Sequence, residues 1–228
     1  MRTLLPLLLF DQIYTGDCRD LAAMIPDSSV DLICTDPPYL KKYLPLYSWL
    51  GFEARRILKP EGFLLVYAGN YWKNDIFCRL GATYLDYYYD FILVNGGASP
   101  VLWNRKIIAR HKSILAYNQP GSKARPRTNV LSVFNGSKAD KRYHEWGQDE
   151  NSARYFVDCF SQPGDLVVDF FCGGGTVPVV CQALDRRYLA FELDPEVANI
   201  ARARVAGEID PPQSPLIGGR AGEVAPCV

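Results

Sequence analysis

Short apolar runs alternate with stretches of helical periodicity along most of the chain. The apolar runs predict seven strands, at residues 11–16, 30–35, 62–68, 84–95, 112–117, 165–171 and 187–193. The stretches between them predict helices near residues 46–58, 71–80, 150–160, 176–184 and 195–206. Strands that alternate with helices build a mostly parallel sheet covered on both faces, so the pattern predicts an α/β fold. No helix is predicted between the strands near residues 84 and 112, which are therefore expected to pair antiparallel at the sheet edge.

The length of 228 residues suits one domain with a sizeable core. We predict a single domain over residues 1–206 and a flexible tail over residues 207–228, which are crowded with glycine and proline. The alternating pattern loosens over residues 96–147, which are rich in Gly, Ser, Asn, Pro and Arg. This stretch is therefore interpreted as an inserted recognition region.

Charge is distributed unevenly, although the formal net charge is zero. Residues 101–145 carry ten lysines and arginines against two acidic residues, a net charge of +8 on a body that carries −8. Aromatic and amide side chains such as Trp103 and Asn129 lie between these charges. The composition favours contact with the phosphates and bases of a nucleic acid, although a solvated loop with chance charge would look the same. The candidate nucleic-acid-binding residues are Lys41, Arg105, Lys106, Arg125 and Arg127.

The seven cysteines are odd in number and form no C-x-x-C pair, so neither a disulfide framework nor a zinc site is expected. A reducing, cytoplasmic location and a protein without a bound metal fit this cysteine usage best. The N-terminal apolar run is short and is interrupted by Pro6, which argues against a secretion signal. No apolar segment has the length of a membrane-spanning helix, so no membrane partner is expected.

The stretch VDLICTDPPYL, residues 30–40, begins as a buried strand and stops at an acidic residue, two prolines and a tyrosine. A residue before proline is pushed out of the α region, so this corner is held extended. A carboxylate, a carbonyl and an aromatic ring are thereby presented at the C-terminal end of a strand, where open α/β sheets place their chemistry. The plainer interpretation is an ordinary stop of a strand at a loop. The candidate catalytic residues are Asp36, Pro37, Pro38 and Tyr39.

A second motif lies at residues 163–198, where a buried strand runs into three glycines, Gly173 to Gly175, before a helix. Glycines there let the backbone approach a ligand at the start of the helix. The dinucleotide pattern G-x-G-x-x-G fails because position 178 is proline. The nucleotide P-loop fails because no lysine follows Lys141.

Two carboxylates flank this glycine turn. Glu192 ends the next predicted strand, 17 residues after Gly175, where an acidic side chain can hold the two hydroxyls of a ribose. Asp169 precedes the turn and is suited to an ammonium group. Either acid alone has a plain alternative as a helix cap or a surface acid. Together they describe a pocket for a ribose and a cationic amino-acid end, so we predict S-adenosylmethionine as the cofactor.

The order of the motifs, DPPY first and DFFCGGGT with FELD far downstream, resembles the β class of S-adenosylmethionine-dependent DNA amino-methyltransferases. The likeness runs from Tyr14 to Val205 and is greatest to short phage and prophage site-specific DNA adenine-N6 methyltransferases, with segments such as HEWGQDENSARYFV before the glycine motif. It implies a Rossmann-like class I methyltransferase fold, with a seven-stranded mostly parallel sheet, an antiparallel edge and helices on both faces. It also implies double-stranded DNA as the partner, in a bacterial or phage-infected cell. Related enzymes with this order often form dimers, so it admits a homodimer.

The resemblance assigns cofactor roles to matching positions. Asp17 and Cys18 would face the adenine of the cofactor, and Glu192 would take its ribose hydroxyls. The residues placed around its methionine part are Asp169, Phe171, Gly173, Gly175 and Thr176. Further cofactor-binding candidates are Asp36, Cys172 and Leu193.

Two positions depart from the family pattern or match it weakly. Relatives usually carry proline where this chain has Phe170, which is expected to alter the stiffness of the turn rather than its chemistry. The region around Trp146 and Gln148 corresponds to a variable cofactor-contacting motif of the family, and the resemblance assigns it a role only weakly.

The first motif has a chemical rationale. An exocyclic amino group is a poor nucleophile because its lone pair is delocalised into the ring. The Asp36 carboxylate and the Pro37 carbonyl can each accept one N–H, which draws the nitrogen towards a tetrahedral geometry and exposes the lone pair. Transfer would be a direct in-line displacement that leaves S-adenosylhomocysteine. The base must leave the duplex to reach this corner, and Tyr39 is placed to stack on it.

Adenine N6 in DNA is the expected target, and three alternatives stay open. Cytosine N4 is the nearest, although the family more often has serine at the position of Asp36 for that target. The others are an RNA substrate and a non-catalytic DNA-binding protein that keeps the cofactor pocket. Methylation at cytosine C5 is disfavoured because it needs a cysteine nucleophile, usually after proline, and the Pro-Cys pair of this chain lies in the predicted tail at residues 226–227.

Overall fold

The computed structural model of the chain describes residues 8–96, 101–136 and 149–209. Its strands, β1 to β10 in chain order, are Gln12–Thr15, Val30–Thr35, Leu58–Ala68, Asp86–Val94, Val101–Leu102, Ile107–Ile108, His111–Asn118, Val133–Asn135, Leu166–Asp169 and Arg187–Glu192. Its α-helices, α1 to α6, are Cys18–Leu21, Leu44–Ile57, Lys73–Gly81, Glu150–Phe160, Thr176–Ala183 and Pro195–Val205. Every strand and helix predicted from the pattern is present. The elements that were not predicted, α1, β5, β6 and β8, are two to four residues long, too short to give a periodic signal.

Eight of the strands form one sheet in the order β1-β10-β9-β2-β3-β7-β4-β8, and β5 with β6 forms a separate hairpin. The first five strands of this order, β1, β10, β9, β2 and β3, run parallel to one another. Strand β7 pairs antiparallel with both β3 and β4. The mostly parallel α/β fold with an antiparallel edge is therefore confirmed. The expectation of seven strands is corrected to eight, because the short strand β8 adds to the outer side of β4. The predicted antiparallel pair is β4 with β7, and β7 lies inside the sheet rather than at its edge.

Alternate residues of the central strands face two separate layers of the core. In β3, Phe63 and Leu65 pack into one apolar cluster, whereas Leu64 and Val66 pack into the other. Helices α4, α5 and α6 cover the first layer, and α2 and α3 cover the second. Burial on both faces explains why these strands appear in the sequence as continuous apolar runs.

The neighbouring parallel strands β2, β9 and β10 bring the two motifs together. Leu32 of β2 is in register with Val167 of β9, and Asp169 of β9 is in register with Ala190 of β10. Because parallel strands end at the same edge, the chain that follows β2 meets the glycine turn that follows β9. This edge is where α/β sheets bind their ligands.

The predicted recognition region at residues 96–147 includes β7, which is a full member of the sheet, as well as the hairpin β5–β6 and β8. Its recognition role stays a prediction, and residues 97–100 and 137–147 lie outside the described residues. Residues 210–228 of the predicted tail also lie outside the described residues. In the described ranges, no helix combines the length and the apolar character needed to cross a membrane.

Candidate active site

The first motif forms a tight corner at the carboxyl end of β2. Asp36 is partly buried, Pro37 is buried, and Pro38 and Tyr39 are exposed. The Tyr39 hydroxyl donates a hydrogen bond to Oδ1 of Asp36. The Tyr39 ring lies on the backbone of Gly69, where an added Cβ would be 3.0 Å from the ring, and yet the residue is 39% exposed. The ring therefore rests against the protein on one side and leaves part of its surface open.

Asp169 lies buried at the end of β9, beside the first motif. Its Oδ1 accepts hydrogen bonds from the Thr35 hydroxyl at 2.7 Å and from the Phe171 N–H at 3.1 Å. Burial raises the pKa of Asp169 to about 7; these two hydrogen bonds oppose the shift, and the carboxylates of Asp36 and Glu192 add to it. A cation brought next to such a buried carboxyl group would stabilise its charged form.

The glycine turn between β9 and α5 has a backbone that its sequence allows. Gly173 and Gly175 have φ angles of 48° and 79°, in the left-handed region that favours glycine. An added Cβ on Gly175 would also lie 3.1 Å from the Ala201 Cβ of α6. Glu192, at the end of β10, accepts the N–H groups of Gly173 at 2.9 Å and Asp194 at 3.0 Å. The Glu192 carboxylate therefore connects the glycine turn to the segment that follows β10.

The candidates before and within α1 lie at the same edge of the sheet. Asp17 is the N-cap of α1 and accepts the Arg19 N–H at 2.9 Å. The Arg19 guanidinium also hydrogen-bonds this carboxylate, which lowers the pKa of Asp17. Cys18 is buried, and this burial raises the pKa of its thiol to about 12, with Asp169 among the charges that it senses.

The remaining cofactor candidates surround the glycine turn but differ in exposure. Cys172 and Thr176 are buried, and Phe171 is partly buried. Leu193 is 69% exposed, as a residue that covers a ligand from outside would be. The structure thus brings the carboxylates of Asp36, Asp169 and Glu192 into one site, while the side chain of Asp17 is already engaged as a cap.

Phe170 has a packing role that the sequence did not indicate. It is 1% exposed and lies between Trp49, at a ring-centroid distance of 5.2 Å, and Phe191, at 5.6 Å. Its N–H donates to the Thr35 hydroxyl at 3.1 Å. The aromatic side chain therefore anchors the turn in the core, in addition to any effect on the stiffness of the backbone.

Arg204 of α6 holds the glycine turn from behind and was not singled out from the sequence. Its guanidinium donates to the Gly174 carbonyl at 2.9 Å and to the Thr176 hydroxyl at 3.3 Å. It also pairs with Glu150 of α4 at 3.1 Å, and its side chain is 6% exposed. Three segments that are remote in sequence are thus connected through one buried cation.

The chain is similar to curated methyltransferases over most of its length. Residues 123–203 match a family model described as DNA methylase. The Type II methyltransferase M.BglII of Bacillus subtilis is 25% identical, over 88% of this chain and 70% of its own. The putative methylase YubD of Escherichia coli strain K12 is 26% identical, over 84% of this chain and 88% of its own. These matches support an S-adenosylmethionine-dependent DNA methyltransferase.

Solved structures agree with this assignment. The chain superposes on a putative DNA modification methylase from Thermus thermophilus with a TM-score of 0.72 and 25% identity, over 87% of this chain and 95% of that one. That Thermus protein has also been solved in complex with S-adenosyl-L-methionine. The PvuII DNA methyltransferase, described as cytosine-N4-specific, gives a TM-score of 0.74 at 20% identity, over 89% of this chain and 87% of that one. The class I methyltransferase fold is thereby confirmed.

A partly buried lysine lies beside the first motif. Lys112 of β7 has its Nζ 3.7 Å from Oδ2 of Asp36 and 4.9 Å from the centroid of the Tyr67 ring. Burial lowers the pKa of Lys112, and the Asp36 carboxylate opposes that shift. Lys112 counts among the basic residues of the segment 101–145, but its ammonium group lies at the corner that follows β2. Sequence alone could not reveal this, because the pairing of β3 with β7 is not encoded locally.

The five candidate DNA-binding residues are distributed over several places. Lys41 lies 5.6 Å from the Trp72 ring, and the Arg105 guanidinium lies 4.1 Å from the Tyr71 ring. Lys106 ends the turn between β5 and β6, and Arg125 lines an open cleft that also includes Tyr89 and Asn129. Arg127 instead packs onto α4, where its guanidinium donates to Asp158 Oδ1 at 3.0 Å and to the Ser161 carbonyl at 3.2 Å.

Several residues that the sequence analysis singled out lie outside the described residues. Trp146 and Gln148, the weakly matched cofactor region, lie outside the described residues, as do Lys138, Lys141 and Arg142 of the basic segment. Within the described ranges, no cluster of three or more His, Cys, Asp or Glu side chains could hold a metal ion.

Proposed function

We propose that this methylase transfers a methyl group from S-adenosylmethionine to the N6 amino group of adenine in double-stranded DNA. The observation that carries the proposal is the placement of the Asp36 carboxylate and the Pro37 carbonyl at the end of β2, next to the Asp169 and Glu192 carboxylates at the ends of β9 and β10. The first pair consists of acceptors suited to an amine, and the second pair consists of acceptors suited to a cationic nucleoside.

S-adenosylmethionine is the cofactor, and the donor set of this site fits it. Asp169 is buried with a raised pKa, so an ammonium group beside it would convert an unfavourable buried charge into a paired one. Each of the two carboxylate oxygens of Glu192 accepts one N–H. An ionised carboxylate can accept about four hydrogen bonds, so Glu192 can also accept hydrogen bonds from the ribose hydroxyls. The left-handed glycines form the turn that leads into α5, and the backbone N–H groups at the start of a helix can bind a ligand.

The chemistry assigned to the protein is positioning and hydrogen bonding. When bound, the cofactor supplies an electrophilic methyl group on its sulfonium. Asp36 and Pro37 accept the two N–H groups of the target amine and expose its lone pair. The proton leaves to Asp36 or to water once the amine has been methylated and has become acidic. Positioning of two reactants in this way can lower a barrier by roughly 7 to 11 kcal/mol in favourable systems.

Tyr39 is assigned to the flipped base. Its ring is supported from below by Gly69 and leaves part of its surface open beside Asp36. A base drawn out of the duplex could therefore stack on the ring while its amine reaches the acceptors. Stacking of this kind contributes about 1 to 3 kcal/mol per base.

Adenine is preferred over cytosine because an aspartate stands at position 36, where cytosine-N4 enzymes more often have serine. The likeness to the cytosine-N4-specific PvuII enzyme keeps cytosine N4 as the second candidate, since both amines present the same two N–H groups to the corner. A homodimer is a further part of the proposal, because related enzymes with this order of motifs often form one.

The test is nucleoside mass spectrometry of duplex DNA incubated with the methylase and methyl-deuterated S-adenosylmethionine. We expect labelled N6-methyladenine in DNA and none in an RNA of the same sequence. Labelled N4-methylcytosine would establish the second candidate, and label in RNA alone would replace DNA as the substrate. No labelled nucleoside at stoichiometric enzyme would favour a DNA-binding protein that only retains the pocket.

The basic residues are expected to set the salt dependence of DNA binding. Changing Arg105, Lys106 and Arg125 to glutamine should weaken binding and flatten the plot of log affinity against log salt by about 0.9 for each phosphate that is no longer neutralised. Arg127 is left intact because it packs onto α4. The control is Arg187→Gln, since Arg187 is similarly exposed but pairs with Asp11 at the opposite end of β10. An unaltered slope in the triple variant would place the DNA elsewhere on the protein.

A further inference from the structure

We propose that Lys112 is a positioning residue of the methyl-transfer site, which keeps the Asp36 carboxylate ionised and able to accept the target amine through Oδ2. This inference rests on the proposed function of Asp36. It concerns a residue on β7 that belongs to neither motif and that is drawn to the corner by the pairing of β7 with β3.

The two oxygens of Asp36 have different neighbours. Oδ1 accepts the Tyr39 hydroxyl, whereas Oδ2 lies 3.7 Å from the Lys112 ammonium group. A distance of 3.7 Å allows charge attraction but exceeds the usual hydrogen-bond range of about 2.7 to 3.2 Å. Each carboxylate oxygen also has two lone-pair directions. An incoming N–H can therefore bind to Oδ2 while Lys112 stays in place.

The described surroundings of Asp36 favour a positive charge beside it. Within the described residues, the titratable groups that sense its charge are Cys34 of β2, Tyr39 of the same corner, Tyr47 of α2, Tyr67 of β3, Lys112 of β7 and Asp169 of β9. Among these groups Lys112 supplies the cation, and the others are neutral or acidic. Burial and a neighbouring carboxylate both favour the protonated form of an aspartate, whereas a cation within about 4 to 6 Å favours the ionised form.

Lys112 itself is held so that it can act in this way. Its ammonium group lies over the face of Tyr67, a ring that is 2% exposed, and Asp149 at the start of α4 adds a second negative charge within reach. The side chain of Lys112 is 19% exposed, which limits solvent screening of its interaction with Asp36. The ammonium group of Lys112 therefore contacts both Tyr67 of β3 and Asp36 of the corner after β2.

The consequence for catalysis is a dependence on pH. An ionised carboxylate accepts hydrogen bonds through both oxygens, whereas a protonated one presents a donor to an amine that also donates. Methyl transfer should therefore fall as the pH drops through the pKa of Asp36. Removal of the Lys112 charge raises that pKa, so the acidic limb of the kcat profile should move to higher pH.

The experiment compares Lys112→Met, Lys112→Gln and Lys112→Arg at saturating DNA and S-adenosylmethionine. We expect the acidic limb of kcat to move upward by about one pH unit in both neutral variants, which corresponds to about a tenfold loss of rate on that limb. Lys112→Arg, which keeps the charge, should restore the original limb. The control is Lys59→Met, because Lys59 pairs with Asp31 at the opposite end of β2 and its loss should leave the limb unmoved. Superimposable limbs for wild type and the neutral variants would overturn the proposal.

A second measurement separates this proposal from the proposed function. Titration of the Asp36 side-chain carboxyl by carbon-13 NMR, assigned with Asp36→Asn, needs no turnover. An inactive wild type would contradict the proposed function, but the titration would still test the ion pair. An upward shift of the Asp36 midpoint in Lys112→Met supports the role of Lys112, and an unchanged midpoint refutes it.

Discussion

Replacement of Asp36 by alanine is expected to reduce methyl transfer by about 10²- to 10³-fold, the range for removing one preorganised polar group. The reason is that the variant loses the stronger of the two acceptors that hold the amine, while the Pro37 carbonyl remains. The affinity for S-adenosylmethionine should stay within about tenfold, because the proposal assigns that ligand to Asp169 and Glu192. Single-turnover kinetics and calorimetry measure the two effects separately.

Asp36→Asn is the matched variant, since it keeps one acceptor oxygen and the shape of the side chain but removes the charge. It should therefore retain more activity than Asp36→Ala. Thermal unfolding of both variants controls for the loss of the partner of Lys112, a buried cation that would then lack the Asp36 charge. Equal losses of cofactor affinity and of methyl transfer in Asp36→Ala would contradict the role assigned to this residue.

Replacement of Asp169 by asparagine is expected to weaken S-adenosylmethionine binding by about 10- to 100-fold, the range for removal of one charged hydrogen bond. The same variant should be more stable than wild type at pH 8 when no cofactor is bound. The pKa of Asp169 is raised by burial to about 7 from an ordinary value of 3.8. The stability contributed by its protonated form is present below the ordinary pKa and is lost as the pH rises through about 7. Asparagine stays neutral and can still accept from Thr35 and Phe171.

Calorimetry gives the affinity, and denaturant unfolding at pH 5.5 and pH 8 gives the free energy of unfolding. The gain in stability should be larger at pH 8, with a ceiling of about 1.4 kcal/mol for each unit of pKa shift. Asp165→Asn serves as the control, because Asp165 caps a turn at the opposite end of β9 through the Gln162 N–H. An unchanged affinity in Asp169→Asn would count against the ammonium pocket, and an unchanged stability at pH 8 would count against a buried charge.

The sequence predicted the elements of this fold well because the pattern that reports them is local. The strand at Val30–Thr35 and the helix at Glu150–Phe160 have the bounds expected from their apolar spacing. Strand β8 was not predicted, since three residues carry no periodic signal and it pairs only through β4. The eighth strand could therefore appear only once the order of the sheet was known.

The site was predictable where its chemistry lies in contiguous motifs and unpredictable where it depends on strand order. Asp36, Asp169 and Glu192 each end an apolar run, so their position at one edge follows from a parallel sheet. Lys112 and Arg204 carry no such local signal. Lys112 reaches the corner through the pairing of β7 with β3, and Arg204 reaches the glycine turn through the packing of α6.

The hydrogen bond from Thr35 to Asp169 joins residues 134 positions apart in the chain. It connects the last residue of β2 to the last residue of β9, which are neighbouring strands with a fixed register. The separation of the first motif and the glycine turn is therefore set by the spacing of adjacent strands and not by the length of the chain between them. The hairpin β5–β6 lies outside this sheet, so its exchange for one of another length or sequence would leave that spacing unchanged.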